Sequence, residues 1–327
     1  MHIYHDSDVD LNVLKGKKIS VLGYGAQGRA QALCIHDSGM DVTVGVRKDG
    51  RSWNKAKEDG LKVAELADAV KGADVVMVLL PDEVQPDIYK QYIEPNIKKG
   101  AALDFAHGFA ITFKLIDPPK DVDVIMMAPK APGDIEREVF LQGFGVPALV
   151  CVHQDATGNA KKIALALAKG LGATRAGVFE TTFDNETKTD LFGEQAVLCG
   201  GLTALIKAGF KTLVEAGYPP EMAYFEVLHE VKLIDDLINR GGFELMWHVV
   251  SNTAEYGGLT RRDRVITPES EKGMKLILSE IESGKFKDEW RNEWKMGLVN
   301  LKKMEEDEKK LQLEVVGKEI RRLFERK

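Results

Sequence analysis

Cysteine is scarce, with three in 327 residues, Cys34, Cys151 and Cys199, an odd number without metal-type spacing. That excludes a disulfide framework or a zinc knuckle, and three thiols in apolar stretches are expected to be small, buried and in a reducing compartment. Prolines number 11, glycines 31 and aromatic residues 7%, which excludes collagen-like and low-complexity chains. Positive charge is in deficit, 45 Lys+Arg against 51 Asp+Glu for a net of −6, so no global basic field draws the chain to nucleic acid or anionic lipid. Long apolar runs are missing too: Val75 to Leu80 is typical, far short of the roughly 20 residues that cross a bilayer. The opening Met1-His2-Ile3-Tyr4-His5-Asp6-Ser7-Asp8 carries acids where a targeting peptide carries Arg or Lys. The expectation is a cytoplasmic protein with a small-molecule partner and neither nucleic acid nor membrane.

What remains is an ordinary globular balance, 44% hydrophobic and 29% charged, over a length that suits two domains at roughly 150 residues each. Strands are predicted at Lys18 to Leu22, Asp41 to Val46, Asp74 to Leu80, Ala101 to Phe105, Val122 to Met127, Ala148 to Val152 and Ala173 to Val178. Val, Ile and Met runs without polar alternation, separated by helix-length segments, call for a mainly parallel sheet covered on both faces. The fold class is therefore a doubly wound α/β domain, residues 1–182, followed by an all-α domain, residues 183–327, where apolar residues recur at helical spacing from Asp190 to Glu215 and Pro220 to Asn239. The closing Leu301 to Lys327 reads as a surface helix.

After the first strand stands Gly23-Tyr24-Gly25-Ala26-Gln27-Gly28, then the helix-forming Arg29-Ala30-Gln31-Ala32-Leu33. In a strand–turn–helix context this glycine pattern points to a dinucleotide whose pyrophosphate meets the helix N-terminus. The acid expected about 20 residues on is replaced by Arg47 and Lys48, with Asp49, Gly50, Arg51 and Ser52 following. Cations and a hydroxyl suit a 2′-phosphate through charge-assisted bonds, which favours NADP; Asp49 keeps NAD open. Pro81-Asp82-Glu83-Val84-Gln85 follows another strand end, where it reads equally as a ligand loop or a proline-capped turn.

Two acidic pairs stand out, Asp190 with Glu194 and Glu226 with Glu230, each four apart and so on one helical face. They continue into Val197, Leu198, Gly201 and Leu205, and into Met222, Ala223, Leu233 and Leu237. Carboxylates inside apolar stripes need counter-charge, and hard oxygen donors without Cys or paired His suggest two Mg²⁺ rather than zinc.

With Asp6-Ser7-Asp8-Val9-Asp10-Leu11, Ala106-His107-Gly108-Phe109, Ala128-Pro129-Lys130-Ala131-Pro132-Gly133, Asp190-Leu191-Phe192-Gly193-Glu194-Gln195 and Ser251-Asn252-Thr253-Ala254-Glu255-Tyr256-Gly257 added to the fingerprint, the chain resembles, nearly end to end, the short-form (class I) ketol-acid reductoisomerases of valine and isoleucine synthesis. The resemblance implies a Rossmann-like domain and a knotted helical domain. It implies NADPH, with NADH as the alternative, held by residues 23–28, by Arg47, Lys48, Arg51 and Ser52, by Asp82, Glu83, Val84 and Gln85, and by Gly133. It further implies His107 and Lys130 as catalytic groups, Asp190, Glu194, Glu226 and Glu230 as ligands of two Mg²⁺ with Asp190 bridging, Ser251 at the substrate, and a homodimer with shared sites. The implied reaction takes 2-acetolactate or 2-aceto-2-hydroxybutyrate through an alkyl shift and hydride transfer to the 2,3-dihydroxy acid. Without the family, His107 reads as a catalytic or a structural histidine, Lys130 as a rigid-loop lysine and Ser251 as a helix cap. The chain departs from the family pattern at Arg29 and Gln31, where histidines are common, at Ala131, where glycine is usual, and at Arg262-Asp263, where Gly-Pro is usual; Arg29 stands where it can add a pyrophosphate contact. Rival readings are a metal-free β-hydroxyacid or 6-phosphogluconate-type dehydrogenase, which leaves the acidic pairs idle, and a nucleotide-binding regulatory or scaffold protein, which has no need of them.

Overall fold

A computed structural model describes residues 2–324; Met1 and the end of the Leu301 to Lys327 stretch, residues 325–327, lie outside it. The chain separates into two compact units, Met1–Thr189 and Asp190–Lys327.

Among the described residues nine strands form one sheet in the first unit: β1 (Ile3–Tyr4), β2 (Lys18–Leu22), β3 (Asp41–Gly45), β4 (Lys62–Ala64), β5 (Val75–Val78), β6 (Ala102–Phe105), β7 (Asp123–Pro129), β8 (Ala148–Gln154) and β9 (Val178–Glu180). Their order is β1-β9-β8-β7-β6-β5-β2-β3-β4. From β4 to β7 all neighbours are parallel, β8 runs antiparallel to β7, and β1 antiparallel to β9. The uniform apolar runs have the expected cause. Ile19, Val21, Val75, Met77, Ile125 and Met127 enter one buried cluster, while Leu22, Val76, Val78, Val124 and Met126 enter another, so side chains on both faces of the pleat are covered. The helices of this unit are α1 (Ala26–Asp37), α2 (Arg51–Glu58), α3 (Leu66–Val70), α4 (Gln85–Ile88), α5 (Phe109–Thr112), α6 (Gly133–Leu141), α7 (Ala160–Gly170), α8 (Ala173–Ala176) and α9 (Phe183–Phe192), the last continuing into the second unit.

The structure differs from two of the sequence expectations. Ala173 to Val178 is not one strand: Ala173–Ala176 is the short α8, entered from Gly172 at φ 79°, and pairing begins at Val178 after Gly177 at φ 136°. The three cysteines are not all buried either; Cys34 and Cys151 are, but Cys199 is exposed. Two short strands, β1 and β4, escape sequence reading because two or three residues carry no periodicity.

The second unit is helical among the described residues: α10 (Gly200–Glu215), α11 (Pro220–Tyr224), α12 (Val231–Val249), α13 (Asn252–Arg261), α14 (Pro268–Glu282), α15 (Lys285–Lys295), α16 (Val299–Lys309) and α17 (Gln312–Phe324). The predicted helix from Asp190 to Glu215 is interrupted by a π-turn at Gly193–Leu198, and that from Pro220 to Asn239 by another at Phe225–His229. The closing stretch is two helices, not one. Its Leu313 and Ile320 join Phe210, Ala223 and Tyr224 in a small core.

Candidate active site

The carboxyl ends of β3, β2, β5, β6 and β7 lie along one edge of the sheet, and each is followed by a predicted site segment: Arg47, Gly23, Asp82, His107 and Lys130 in that spatial order. Chain order reverses between β2 and β5, and the crevice outside that reversal is where open α/β sheets take ligands.

The three fingerprint glycines do different work. A Cβ on Gly23, whose φ is +95°, would lie 2.5 Å from the Leu79 carbonyl oxygen, and one on Gly28 would press on the Gly23 carbonyl carbon at 3.0 Å, so both are required by the turn and the packing of α1 on β2. Gly25, the N-cap of α1 at φ −77°, has open space where a Cβ would stand. The protein itself gives no packing reason for glycine there. An uncovered backbone at a helix N-terminus is what close approach of a pyrophosphate requires, so the residues fit a dinucleotide.

Tyr24 contributes backbone only. Its ring is buried and its hydroxyl donates to Asp59 Oδ2 at 2.9 Å. Arg29 likewise points to Asp59, with Nε to Oδ2 at 2.7 Å and Nη2 to Oδ1 at 3.0 Å, instead of lying at a pyrophosphate. That guanidinium, foremost among its partners, holds the Asp59 carboxyl down at about 2. Arg47, Lys48 and Arg51 are exposed beyond β3, and Asp49 sits at φ 57° in the turn. Arg51 and Ser52 open α2 after Gly50, so free backbone N–H groups and cations share one corner, the chemistry a phosphate dianion needs. In the second loop Gln85 is buried and donates to the Leu80 carbonyl at 2.8 Å and Asp82 Oδ1 at 3.0 Å, tying Asp82, Glu83 and Val84 down beside β5. Gly133 opens α6, where a Cβ would stand 2.9 Å from Gln27 N; close packing of α6 on α1 alone accounts for that glycine.

At the next two strand ends His107 and Lys130 converge on a residue that the sequence reading missed. Glu186 of α9 is 2% exposed; its carboxylate lies 3.1 Å from His107 Nδ1, accepts from Lys130 Nζ at 3.0 Å, and accepts from the Gly108 backbone N–H at 3.1 Å. Burial pushes its carboxyl up, but His107 and Lys130 together outweigh this and hold it below the ordinary glutamate range. A signal was present: Glu186, Asp190 and Glu194 are spaced by four, so the acidic stripe begins one turn earlier than the predicted pair. Gly108 permits the approach, because a Cβ there would meet Met126 Cε at 2.9 Å and the Thr187 hydroxyl.

Asp190 is half-buried, one turn beyond Glu186 on α9, and Glu194, Glu226 and Glu230 are exposed. Glu194 and Glu226 lie in the two π-turns, and Glu230 caps the second. Such turns are rare and frequent at functional sites. The apolar stripes beside the acids, Val197, Leu198, Leu205, Met222 and Leu233, are also exposed, so within one chain the predicted desolvation of the carboxylates does not arise. Ser251 is the N-cap of α13, its Oγ accepting from Ala254 N at 3.2 Å, which is the helix-cap reading.

Comparison with known proteins agrees with this geometry. Residues 13–177 match the family model for the acetohydroxy acid isomeroreductase NADPH-binding domain, and residues 183–326 that for the ketol-acid reductoisomerase C-terminal domain. The chain is 54% identical over 323 residues to the ketol-acid reductoisomerase (NADP(+)) of Methanococcus maripaludis, covering 99% of this chain and 98% of the relative. It is 55% identical over 321 residues to that of Methanocaldococcus jannaschii, covering 98% and 97%. A solved NADH-preferring ketol-acid reductoisomerase from an uncultured archean superposes with a TM-score of 0.96 over 100% of both chains at 53% identity. With both halves matched in order and a sheet edge built to take a dinucleotide, the chain belongs to the ketol-acid reductoisomerase family and is an NADP(H)-binding oxidoreductase.

Proposed function

We propose that residues 1–182 bind NADPH, with the 2′-phosphate taken by Arg47, Lys48, Arg51 and Ser52, and that residues 183–327 bind two Mg²⁺ and the 2-hydroxy-3-keto acid and form a knotted homodimer, in the cytoplasm. The observation that carries the reading is the buried Glu186 carboxylate gripping His107 and Lys130 at the sheet's carboxyl edge, a costly arrangement unless those two groups must be held in place. Asp190, Glu194, Glu226 and Glu230 would hold the metals, with Asp190 shared, and Ser251 would meet the substrate carboxylate. When bound, the metals supply Lewis acidity to the alkyl shift and NADPH supplies hydride to the resulting ketone.

The chain's own part is proton handling and orientation. Glu186 accepts from His107 Nδ1, which makes Nε2 the proton-accepting nitrogen of the neutral ring. Lys130, drawn to the same carboxylate, is placed beside the site, where it orients an anionic substrate. Glu230 would assist proton transfer in addition to holding metal. Among the described residues Asp190 lies with Glu186 and His107 in a group whose donor atoms are within 4.8 Å of one another, and Glu194, Glu226 and Glu230 would add the hard oxygen donors that suit Mg²⁺.

The test is oxidation of NADPH or NADH by 2-acetolactate, followed at 340 nm with and without Mg²⁺. Turnover requires Mg²⁺ and prefers NADPH. Activity unchanged by EDTA would remove the metal assignment, and a preference for NADH would remove the 2′-phosphate reading.

A further inference from the structure

Two buried acceptors stand on α1 and α6, helices that pack against each other. Glu136 of α6 is 1% exposed and Gln31 of α1 is fully buried. Neither Glu136 oxygen nor Gln31 Oε1 has a hydrogen-bond partner among the described residues. The contacts on either side align them: Gly133 lies against the backbone of Ala26 and Gln27, while Arg137 reaches Cys34 Sγ at 3.7 Å and Asp37 beyond it. Positions 136 and 31 thus fall between two contacts of helices running side by side in the same direction. Gln31 Nε2 donates to Gln27 Oε1 at 3.0 Å, and Gln27 Nε2 donates to the Ala131 carbonyl at 2.8 Å. Both amides therefore turn their nitrogens toward Ala131, and the chain of bonds needs a donor at its other end, facing Gln31 Oε1.

We propose that Glu136 is kept as the neutral acid, donates its proton to Gln31 Oε1, and thereby orients the Gln31–Gln27 chain that clasps the glycine fingerprint to the loop before α6. Glu136 is a positioning residue for the cofactor. Burial raises its carboxyl to about 8, with no basic partner among the described residues to hold it down. On its own helix Arg137 is spent on Asp37 and Cys34, and Glu138 accepts from Gln142. Asp134 there is exposed. On α1 Arg29 is spent on Asp59, His36 meets Asp37, and the Cys34 thiol is pushed up to about 12, chiefly by burial. Loss of the Glu136 proton sets a carboxylate against an amide oxygen. Gln31 then reverses to donate to it, Gln27 must reverse in turn, and its bond to Ala131 is lost.

The inference rests on NADP(H) binding at the fingerprint. The test is NADPH affinity from pH 6 to 9.5, by fluorescence titration, for the wild type, Glu136→Gln and Glu136→Met. The wild-type Kd is expected to be level below about pH 7 and to rise at least threefold through a midpoint near pH 8. Glu136→Gln, whose amide donates at every pH, keeps the acid-side affinity and removes that step, and Glu136→Met binds at least threefold more weakly throughout. A Glu136→Gln profile identical to the wild type, or a wild-type profile without the step, overturns the clasp alone. Failure of every form to bind NADPH at any pH overturns the cofactor site and the clasp together.

Discussion

An alanine at position 25 meets open space, whereas at position 23 it meets the Leu79 carbonyl, so the two substitutions separate folding from binding. Gly25→Ala is expected to melt within a degree or two of the wild type yet bind NADPH about tenfold more weakly, and Gly23→Ala to lose about 2 kcal/mol or more of stability. Thermal melts paired with cofactor titration decide it; a Gly25→Ala protein with unchanged affinity would mean the fingerprint does not face the nucleotide. The pattern was legible because three glycines leave three fixed letters. Glu186 was not, since nothing in sequence tells a carboxylate that will be buried between His107 and Lys130 from one on a wet face. Glu186→Gln should leave NADPH binding intact and cut kcat at least tenfold, because His107 loses the charge that fixes its tautomer. Glu136 carries a stability prediction as well. Its carboxyl titrates at about 8 in the folded chain against 4.5 ordinarily, so the folded form holds the proton more tightly. Between those values unfolding releases a proton, and stability falls as pH rises, by up to about 3 kcal/mol at pH 7. Glu136→Met should accordingly gain on the wild type between pH 5 and pH 8 in urea unfolding, with the difference level above that; a constant difference over the range would place the carboxyl at an ordinary value.

The two π-turns show what helical spacing conceals. Apolar residues at helical spacing from Asp190 to Glu215 read as one helix, and the segment is helical on both flanks, but the wider turn at Gly193–Leu198 is hidden because an added residue leaves those flanks helical. Gly200 and Gly201 are its local trace. A Cβ on Gly201 would sit 3.0 Å from the Ala196 carbonyl carbon, a crowding produced by the widened turn. Gly201→Ala is therefore expected to drive the segment toward α geometry and rotate α10 by about 100° relative to Asp190. The helix survives while Glu194 is displaced, so Mg²⁺-dependent turnover should drop at least tenfold with circular dichroism and NADPH affinity unchanged; full activity would remove the π-turn from the proposed metal site. In the sheet, by contrast, the bounds of β2 are legible in the sequence, because a buried parallel strand announces itself by composition, whereas the short β1 and β4 exist through pairing with β9 and β3.

Across the whole molecule the second unit leaves much apolar surface uncovered. Leu198 is 65% exposed, Phe243 66% and Tyr256 68%, and Met222, Leu233 and Val249 each pass half. The continuous helical stretch Phe183–Glu215 even has the length and mean hydropathy, 1.5, of a membrane span, with 6% of its most apolar window buried. Separate short runs in the sequence did not reveal this, since Gly193, Glu194 and the glycines at 200 and 201 divide them. Lipid is a poor occupant: Asp184, Glu186, Lys188, Asp190 and Glu194 stud the first half of the stretch, and ionised groups at bilayer depth are costly. The exposed apolar residues also spread over α10 to α13 and are not confined to one span. The proposed pairing with a second copy through the same helices would cover such a surface and dry the stripes beside Glu194, Glu226 and Glu230, restoring the desolvation that draws cations to carboxylates. The chain should therefore sediment, without detergent, at no less than twice its 36.2 kDa. The double variant Leu198→Asp and Phe243→Asp should sediment as a monomer, keep its NADPH affinity within about threefold, and lose Mg²⁺-dependent turnover. A wild-type monomer with full activity, or a requirement for detergent, would show that the helical unit does not complete its acidic site by pairing.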